Sequence, residues 1–288
     1  MANLSTGRAV RLAARTGSLT TQTAGLAPSH LQANLIVLPK PYAPSFRLLC
    51  QRNPVPCPLL AESSTPGSFS TLQSHLIRDG TPLPVARDID LRLDAPKYLV
   101  YRDGTVSHET EDISSLWTDE HVGFLIGCSY SFEGALAEAG LMPRHVAQRR
   151  NVAMYRTTIP LCPAGVFTGS TYVVSMRPYR PEEVDRVREI TRAFGETHGE
   201  PIAWGWDALE KLGIRDIGAP EWGEPARTAD GTGVFGKESD EGYVPVFWGC
   251  GVTPQEAVMK AGLEGVVMGH KPGHMIVLDL RDHEVYRG

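Results

Sequence analysis

Hydrophobic and polar positions along this chain follow two periods, and each predicts its own elements. In "STGRAVRLAAR" (5–15), Ser5 reads as a cap, and Val10, Leu12, Ala13 and Ala14 form a buried side, predicting a first helix. "NLIVL" (34–38) is a short apolar run, and "SFRLLCQRN" (45–53) is helix-like. Prolines bracket Cys57 in "NPVPCPLLAESSTPGS" (53–68); they exclude a helix and predict a stiff, extended loop. "KYLVYRDGTVSHE" (97–109) places β-prone runs on either side of Asp103-Gly104, which predicts a hairpin. Residues 114–140 read as helical, with Phe124, Cys128, Phe132 and Leu136 on one stripe that Ala135 and Ala139 extend.

Beyond residue 170 the alternation of element types is clearer. "TYVVSMRPY" (171–179) predicts a strand, "PEEVDRVREITRAFG" (181–195) an amphipathic helix opened by proline and closed by glycine, and "PIAWGW" (201–206) a further strand. "VPVFWGCG" (244–251) is a continuous apolar run, typical of a strand buried on both faces. In "TPQEAVMKAGLEG" (253–265), Thr253 and Glu256 have capping-box spacing. A β-α-β unit follows with either 275–280 or "GVVM" (265–268) as the strand parallel to 244–249: the first sets the His270 loop at the opposite sheet edge from Cys250, and the second, the favoured one, sets His270 beside Cys250. The expected fold class is α/β: a three-layer α/β body (1–155 and 225–288) carrying a smaller inserted α+β subdomain (156–224).

Composition narrows the function. The 288 residues hold 28 basic and 33 acidic side chains, for a net charge of −5. No basic stripe interleaved with aromatics follows, so nucleic acid is not an expected partner. The longest apolar runs fall far short of the roughly 20 residues that cross a bilayer, so no membrane partner is expected either. Five irregularly spaced cysteines include no C-x-x-C pair. They signal neither a disulfide framework nor a zinc site, and fit a reducing cytoplasm. The arginine-bearing, acid-free N-terminus also suits a transit peptide in a eukaryotic chain, with the mitochondrial matrix as the alternative compartment. No P-loop or G-x-S-x-G elbow occurs, and "GTGVFG" (231–236) lacks the strand and helix a dinucleotide fingerprint needs. No organic cofactor is expected; a divalent metal is left open with no ligand assigned to it, and a homo-oligomer is equally open.

Four stretches could carry chemistry. "GCSYSFEGALAEAG" (127–140) crowds polar groups at a helix start, with Ser129 and Glu133 sharing a side away from the packing stripe that holds Cys128. The turn from Cys250 to Thr253 offers a thiol and helix-start amides able to hold a carboxylate or a developing oxyanion. "RRNVAMYRTTIP" (149–160) supplies Arg149 and Arg156, whose guanidinium forks match carboxylates, with Asn151, Tyr155 and Thr157. "GHKPGHM" (269–275) places His270 and His274 around a Pro-Gly turn, which breaks the helical geometry of a zinc protease but suits proton transfer.

"CQRNPVPCPLL" (50–60), "FLIGCSYSFEGAL" (124–136), "RNVAMYRTTIP" (150–160), "VVSMRP" (173–178), "VPVFWGCGVTPQ" (244–255) and "HKPGHM" (270–275) together resemble the hydro-lyase family that includes the D-glutamate cyclases. The resemblance covers nearly the whole chain. It implies a hydro-lyase that takes a small carboxylic or amino acid, with D-glutamate closing to 5-oxo-D-proline as the best-described case. It also implies the two-part α/β fold above. On this basis Glu133, His270, Ser129 and Cys250 are the catalytic candidates. Arg149, Asn151, Tyr155, Arg156, Thr157, Thr253 and His274 are the substrate-binding candidates, and all are expected to converge on one cleft. One departure stands out: Trp204 and Trp206 occupy a segment where the resemblance leads one to look for histidine and aspartate. The alternatives are a hydratase or dehydratase of a different small acid, and a non-catalytic amino-acid-binding protein.

Overall fold

The computed structural model describes residues 4–285. It begins with helix α1 (Gly7–Arg15), capped by Thr6 rather than Ser5: the Thr6 hydroxyl accepts the Ala9 N–H at 3.2 Å. Val10, Ala13 and Ala14 are buried as expected, but Leu12 is only partly buried and Arg11 is buried instead. The Arg11 guanidinium lies 3.5 Å from Asp94 and 3.0 Å from Asp279. Residue 7 must be glycine, since a Cβ there would lie 1.9 Å from the Leu278 carbonyl oxygen.

The chain continues through β1 (His30–Pro39), α2 (Ala43–Arg52), β2 (Leu59–Ser63), β3 (Leu72–Ser74), β4 (Ile77–Arg78) and β5 (Thr81–Pro82). Then come β6 (Tyr98–Arg102), β7 (Thr105–Thr110), β8 (His121–Gly127), α3 (Glu133–Glu138) and α4 (Arg144–Ala147). The remainder is β9 (Ala153–Pro160), β10 (Thr171–Tyr179), α5 (Val184–Arg192), β11 (Ala203–Trp204), α6 (Ala208–Leu212), β12 (Val244–Gly249), α7 (Val252–Ala261), β13 (Val266–His270) and β14 (Ile276–Arg281).

The larger sheet has eight strands in the order β3-β2-β8-β1-β13-β6-β7, with β14 also paired to β1. The smaller has four, β11-β12-β10-β9, and β4 and β5 form a separate hairpin. Strand periodicity explains why both faces of the larger sheet are covered. Leu31, Ala33, Leu35 and Val37 of β1 enter one core cluster, while Ile36 and Leu38 join a second on the opposite face with Phe46 and Leu49 of α2 and Ala257 and Val258 of α7. In the smaller sheet, Val174 and Met176 of β10 pack with Ala208 and Leu212 of α6. Val173, Ser175, Arg177 and Tyr179 lie on the other face.

The α/β class holds, with helices packed on sheets whose strand pairings are antiparallel. The hairpin at Asp103-Gly104 forms as expected, both residues having positive φ (49° and 75°), the condition of a type I′ turn. The parallel β-α-β unit does not: β12 pairs antiparallel with β10, β13 pairs antiparallel with β1 and β6, and α7 crosses from one sheet to the other. A continuous apolar run reports burial and says nothing of strand direction, which is why this expectation fails. His270 is therefore not delivered to a shared strand edge with Cys250. The helix expected over 114–140 is also shorter: 121–127 is the two-face-buried strand β8, and only Glu133–Glu138 is α-helical. The predicted stripe from Phe124 to Leu136 thus spans a strand, a turn and a helix. The proline-rich loop holds one strand, β2, and the Thr253 capping box is absent because Gly251 caps α7. The Thr253 hydroxyl instead accepts the Val173 N–H at 3.0 Å and donates to the Val173 carbonyl at 3.1 Å, pinning α7 to β10.

Candidate active site

β8 leaves the larger sheet at Gly127, and the next six residues explain the crowding of polar groups there. Cys128 is extended, and its sulfur accepts the Tyr130 N–H at 3.5 Å, opening a single 3₁₀ turn (Ser129–Phe132) before α3. Ser131 serves the fold, its hydroxyl accepting the Gln32 N–H at 2.9 Å. Ser129, Tyr130 and Glu133 turn toward the smaller sheet.

There Glu133 meets Arg177, a fully buried residue of β10. Arg177 Nη2 lies 2.5 Å and Nε 3.2 Å from Glu133 Oε1. The same guanidinium donates to Ser175 Oγ (Nη1, 3.1 Å) and Ser129 Oγ (Nη2, 3.1 Å), and sits over the rings of Phe132 and Trp248. His145 of α4 brings Nε2 to 2.9 Å from Glu133 Oε1, outside hydrogen-bond geometry. The His145 ring stacks on Tyr130, with centroids 6.0 Å apart. The Tyr130 hydroxyl donates to Asn151 Oδ1 at 2.6 Å, and Asn151 Nδ2 donates to the Pro272 carbonyl at 3.3 Å. Gly273 (φ 88°) lies so close that a Cβ there would sit 2.6 Å from Asn151 Nδ2.

Burial pushes the Glu133 carboxyl toward its neutral form, but the charges of His145 and Arg177 outweigh burial and hold it below the usual carboxylate range. Glu133 is therefore ionised at neutral pH. Its second oxygen, Oε2, has no hydrogen-bond partner although the residue is only 3 % exposed. Glu133 also forms part of the wall of a cavity of about 210 Å³. Tyr130, Gly134, Ala137, Met142 and Val146 complete that side, and the segment from Gly25 to His30, with Gln32, closes the other. Ala27 (φ 45°) and Ser29 (φ 62°) both adopt left-handed backbone in this segment, a costly conformation for residues with a side chain. Gln32 ties the segment down, donating to the Thr23 and Leu26 carbonyls and accepting the Thr23 hydroxyl at 2.8 Å.

The chain from residue 122 to 279 matches the family model for D-glutamate cyclase. A Schizosaccharomyces pombe protein is 46% identical over 264 residues, covering 91% of this chain and 80% of its own. A Bordetella pertussis protein is 46% identical over 274 residues (95% and 89%), and one from Bacillus licheniformis 44% over 277 (96% and 95%). The chain belongs to the D-glutamate cyclase family. All three relatives carry the provisional name hydro-lyase, so a hydro-lyase is the activity class this membership supports.

The cyclase-family candidates divide into several groups in space. Glu133 and Ser129 meet at Arg177, and Asn151 joins through Tyr130. Cys250 packs in the same apolar cluster as Cys128 and Tyr130, and burial pushes its thiol up to about 11, so it stays protonated near neutrality. Thr253 is engaged with Val173. His274 is mostly buried, its Nδ1 3.3 Å from the Pro272 carbonyl, in the loop that touches Asn151. Tyr155, Arg156 and Thr157 line a separate, shallow cleft with Glu221. The Tyr155 hydroxyl donates to the Ile217 carbonyl, Thr157 to the Tyr172 carbonyl, and Arg156 pairs with Glu256 at 2.7 Å. Arg149 is exposed in left-handed backbone (φ 55°) and lines neither cavity. In place of the single cleft expected, Glu133 and Arg156 line different cavities, and His270 lines neither of them. Trp204, exposed beside Arg188, and Trp206, stacked on Phe235, also lie off the Glu133 cavity wall, so the departure in that segment leaves the cavity lining untouched.

His270 is fully buried, with Nδ1 3.1 Å from both the Leu35 N–H and the Gln255 side-chain amide. Burial lowers its pKa to about 4, and does the same to His198. Both imidazoles stay neutral in the fold down to about pH 4, whereas in the unfolded chain they take up a proton below about pH 6.5. Their contribution is intact above the unfolded histidine value of about 6.5 and is lost as pH falls from there toward 4, on the order of 3 kcal/mol for each. Urea midpoints are expected to drop between pH 7.5 and pH 5, and the drop should shrink in His270→Gln; an unchanged drop refutes the assignment.

Arg177, His145 and Tyr130 are the site members that sequence reasoning passed over. Arg177 had a signal: Ser175 and Arg177 are polar positions on one face of an otherwise apolar strand. His145 had none, because only the turn through Gly140 and Pro143 returns it to Glu133. Among the described residues, no group of three or more His, Cys, Asp or Glu side chains is disposed to hold a metal, and no helix is long and apolar enough to cross a membrane.

Proposed function

We propose that this hydro-lyase family member closes D-glutamate to 5-oxo-D-proline with loss of water, and that Glu133 carries the protons. Closing the ring forms one N–C bond between the amino nitrogen and the side-chain carboxyl carbon, and breaks one C–O bond there. Two protons leave the ammonium group, and both end on the departing oxygen as water. One carboxylate can accept and return them in turn, which suits a group that is ionised at rest. The reading rests above all on Glu133, a buried carboxylate with one oxygen unpaired, on a residue that lines a cavity of about 210 Å³. Cavities of roughly 150 Å³ already hold a ligand the size of benzene. Ser129, Tyr130 and Asn151 would hold the surrounding groups in place.

The expected result on incubating pure protein with D-glutamate is a product lighter by one water, with the L-enantiomer as control. An unchanged mass spectrum after prolonged incubation counts against the reading. Dehydration of a different, less acidic small molecule is a second reading, favoured by one observation: no arginine or lysine lines this cavity. A panel of hydroxy acids and amino acids screened by the same loss of water separates the two.

A further inference from the structure

The Glu133 cavity has a one-sided chemistry. Its wall carries a single carboxylate, while Leu26, Ala27, Pro28, Ala137, Met142 and Val146 make most of the rest apolar. No guanidinium or lysine ammonium faces it. Arg177, the obvious counter-charge, lies behind Glu133 with donors committed to Glu133 Oε1, Ser175 and Ser129. Glu133 Oε1 already receives Arg177 and faces His145, whereas Oε2 receives nothing. A buried carboxylate oxygen without a donor is costly, and the group best suited to satisfy it is a small cation with N–H donors. An anionic ligand entering the same space would meet the Glu133 carboxylate, with Arg177 already engaged behind it and the His30 imidazole the one basic side chain on the wall.

We infer that this cavity binds its ligand through a primary ammonium group seated on Glu133, with the ligand's hydrocarbon part against Leu26, Ala137, Met142 and Val146. The inference deepens the proposed function by fixing how the ligand is held: by its amino group at Glu133. It rests on that reading only for the identity of the natural ligand. Small alkylammonium ions are therefore ligands in their own right, and carboxylates of the same shape are not.

The test compares n-butylammonium with butyrate, two probes of like shape and opposite charge, by calorimetric titration of the full chain. Butylammonium is expected to bind about tenfold or more tightly than butyrate, the difference that one charge-assisted hydrogen bond supplies. Ala137→Leu, which narrows the cavity while keeping the Glu133 carboxylate, is expected to abolish binding of butylammonium, and Glu133→Gln to erase the preference. Equal or tighter binding of butyrate, binding of neither probe, or undiminished butylammonium binding to Ala137→Leu overturns the inference. Should Glu133→Gln fail to fold, the probe comparison and Ala137→Leu still decide it. Dehydration of D-glutamate by a protein indifferent to butylammonium would keep the cyclase reading and sink this one; ammonium binding without dehydration would do the reverse.

Discussion

Glu133→Gln is expected to lower kcat/KM for D-glutamate dehydration by about 10²- to 10⁴-fold, the usual contribution of a positioned proton carrier. Glutamine keeps the size of the side chain and can still reach Arg177, so the cavity shape persists while the exchangeable proton site is lost. The same substitution leaves the fully buried Arg177 guanidinium without a counter-ion, and removing one member of such a pair costs about 3–5 kcal/mol. The two effects separate in the double variant Glu133→Gln with Arg177→Met. Its urea midpoint should recover most of the loss, since an apolar side chain suits the space between Phe132 and Trp248, yet turnover should stay absent. Turnover by the single variant at the parental rate would remove Glu133 from the mechanism.

The second large effect lies far from the cavity. Arg11 of α1 is fully buried, ion-paired with Asp94 and Asp279, and donates to the Val277 carbonyl at 2.7 Å. Burial raises the Asp94 carboxyl, against the pull of Arg15 and Arg11. Truncation by Arg11→Ala deletes the Val277 donor and one of the charges facing Asp94. A cost of about 3–5 kcal/mol is expected, read as a lower urea midpoint with D-glutamate turnover per folded molecule unchanged. A midpoint within error of the parent would mean that α1 is only loosely attached.

Short-range signals were legible in the chain and long-range ones were not. The Asp103-Gly104 hairpin, the strand at 171–179 and the helix after Pro181 depend on neighbouring residues, and each formed where the pattern placed it. Strand pairing depends on contacts distant in sequence, so the parallel β-α-β unit proved to be two strands in different antiparallel sheets. The site followed the same rule. Ser129 and Glu133 were readable because one short stretch holds both. Arg177 lies 44 positions beyond Glu133 and His145 reaches it by an irregular turn, so neither spacing nor period points to the meeting. Arg156 attracted notice for the right chemistry, a guanidinium near acids, but its partners are Glu256 and Glu221 at another face.

The contact between Glu133 and Arg177 joins the helix that follows one sheet to an inner strand of the other, so a single carboxylate serves both the joint and the cavity. Neither residue can then be exchanged alone without loss, and a descendant with altered chemistry at this position would have to replace both together. A ligand cation drawn to Glu133 would compete with Arg177 for the same negative charge. Occupancy of the cavity should thus be felt as a change in how firmly the two sheets hold each other.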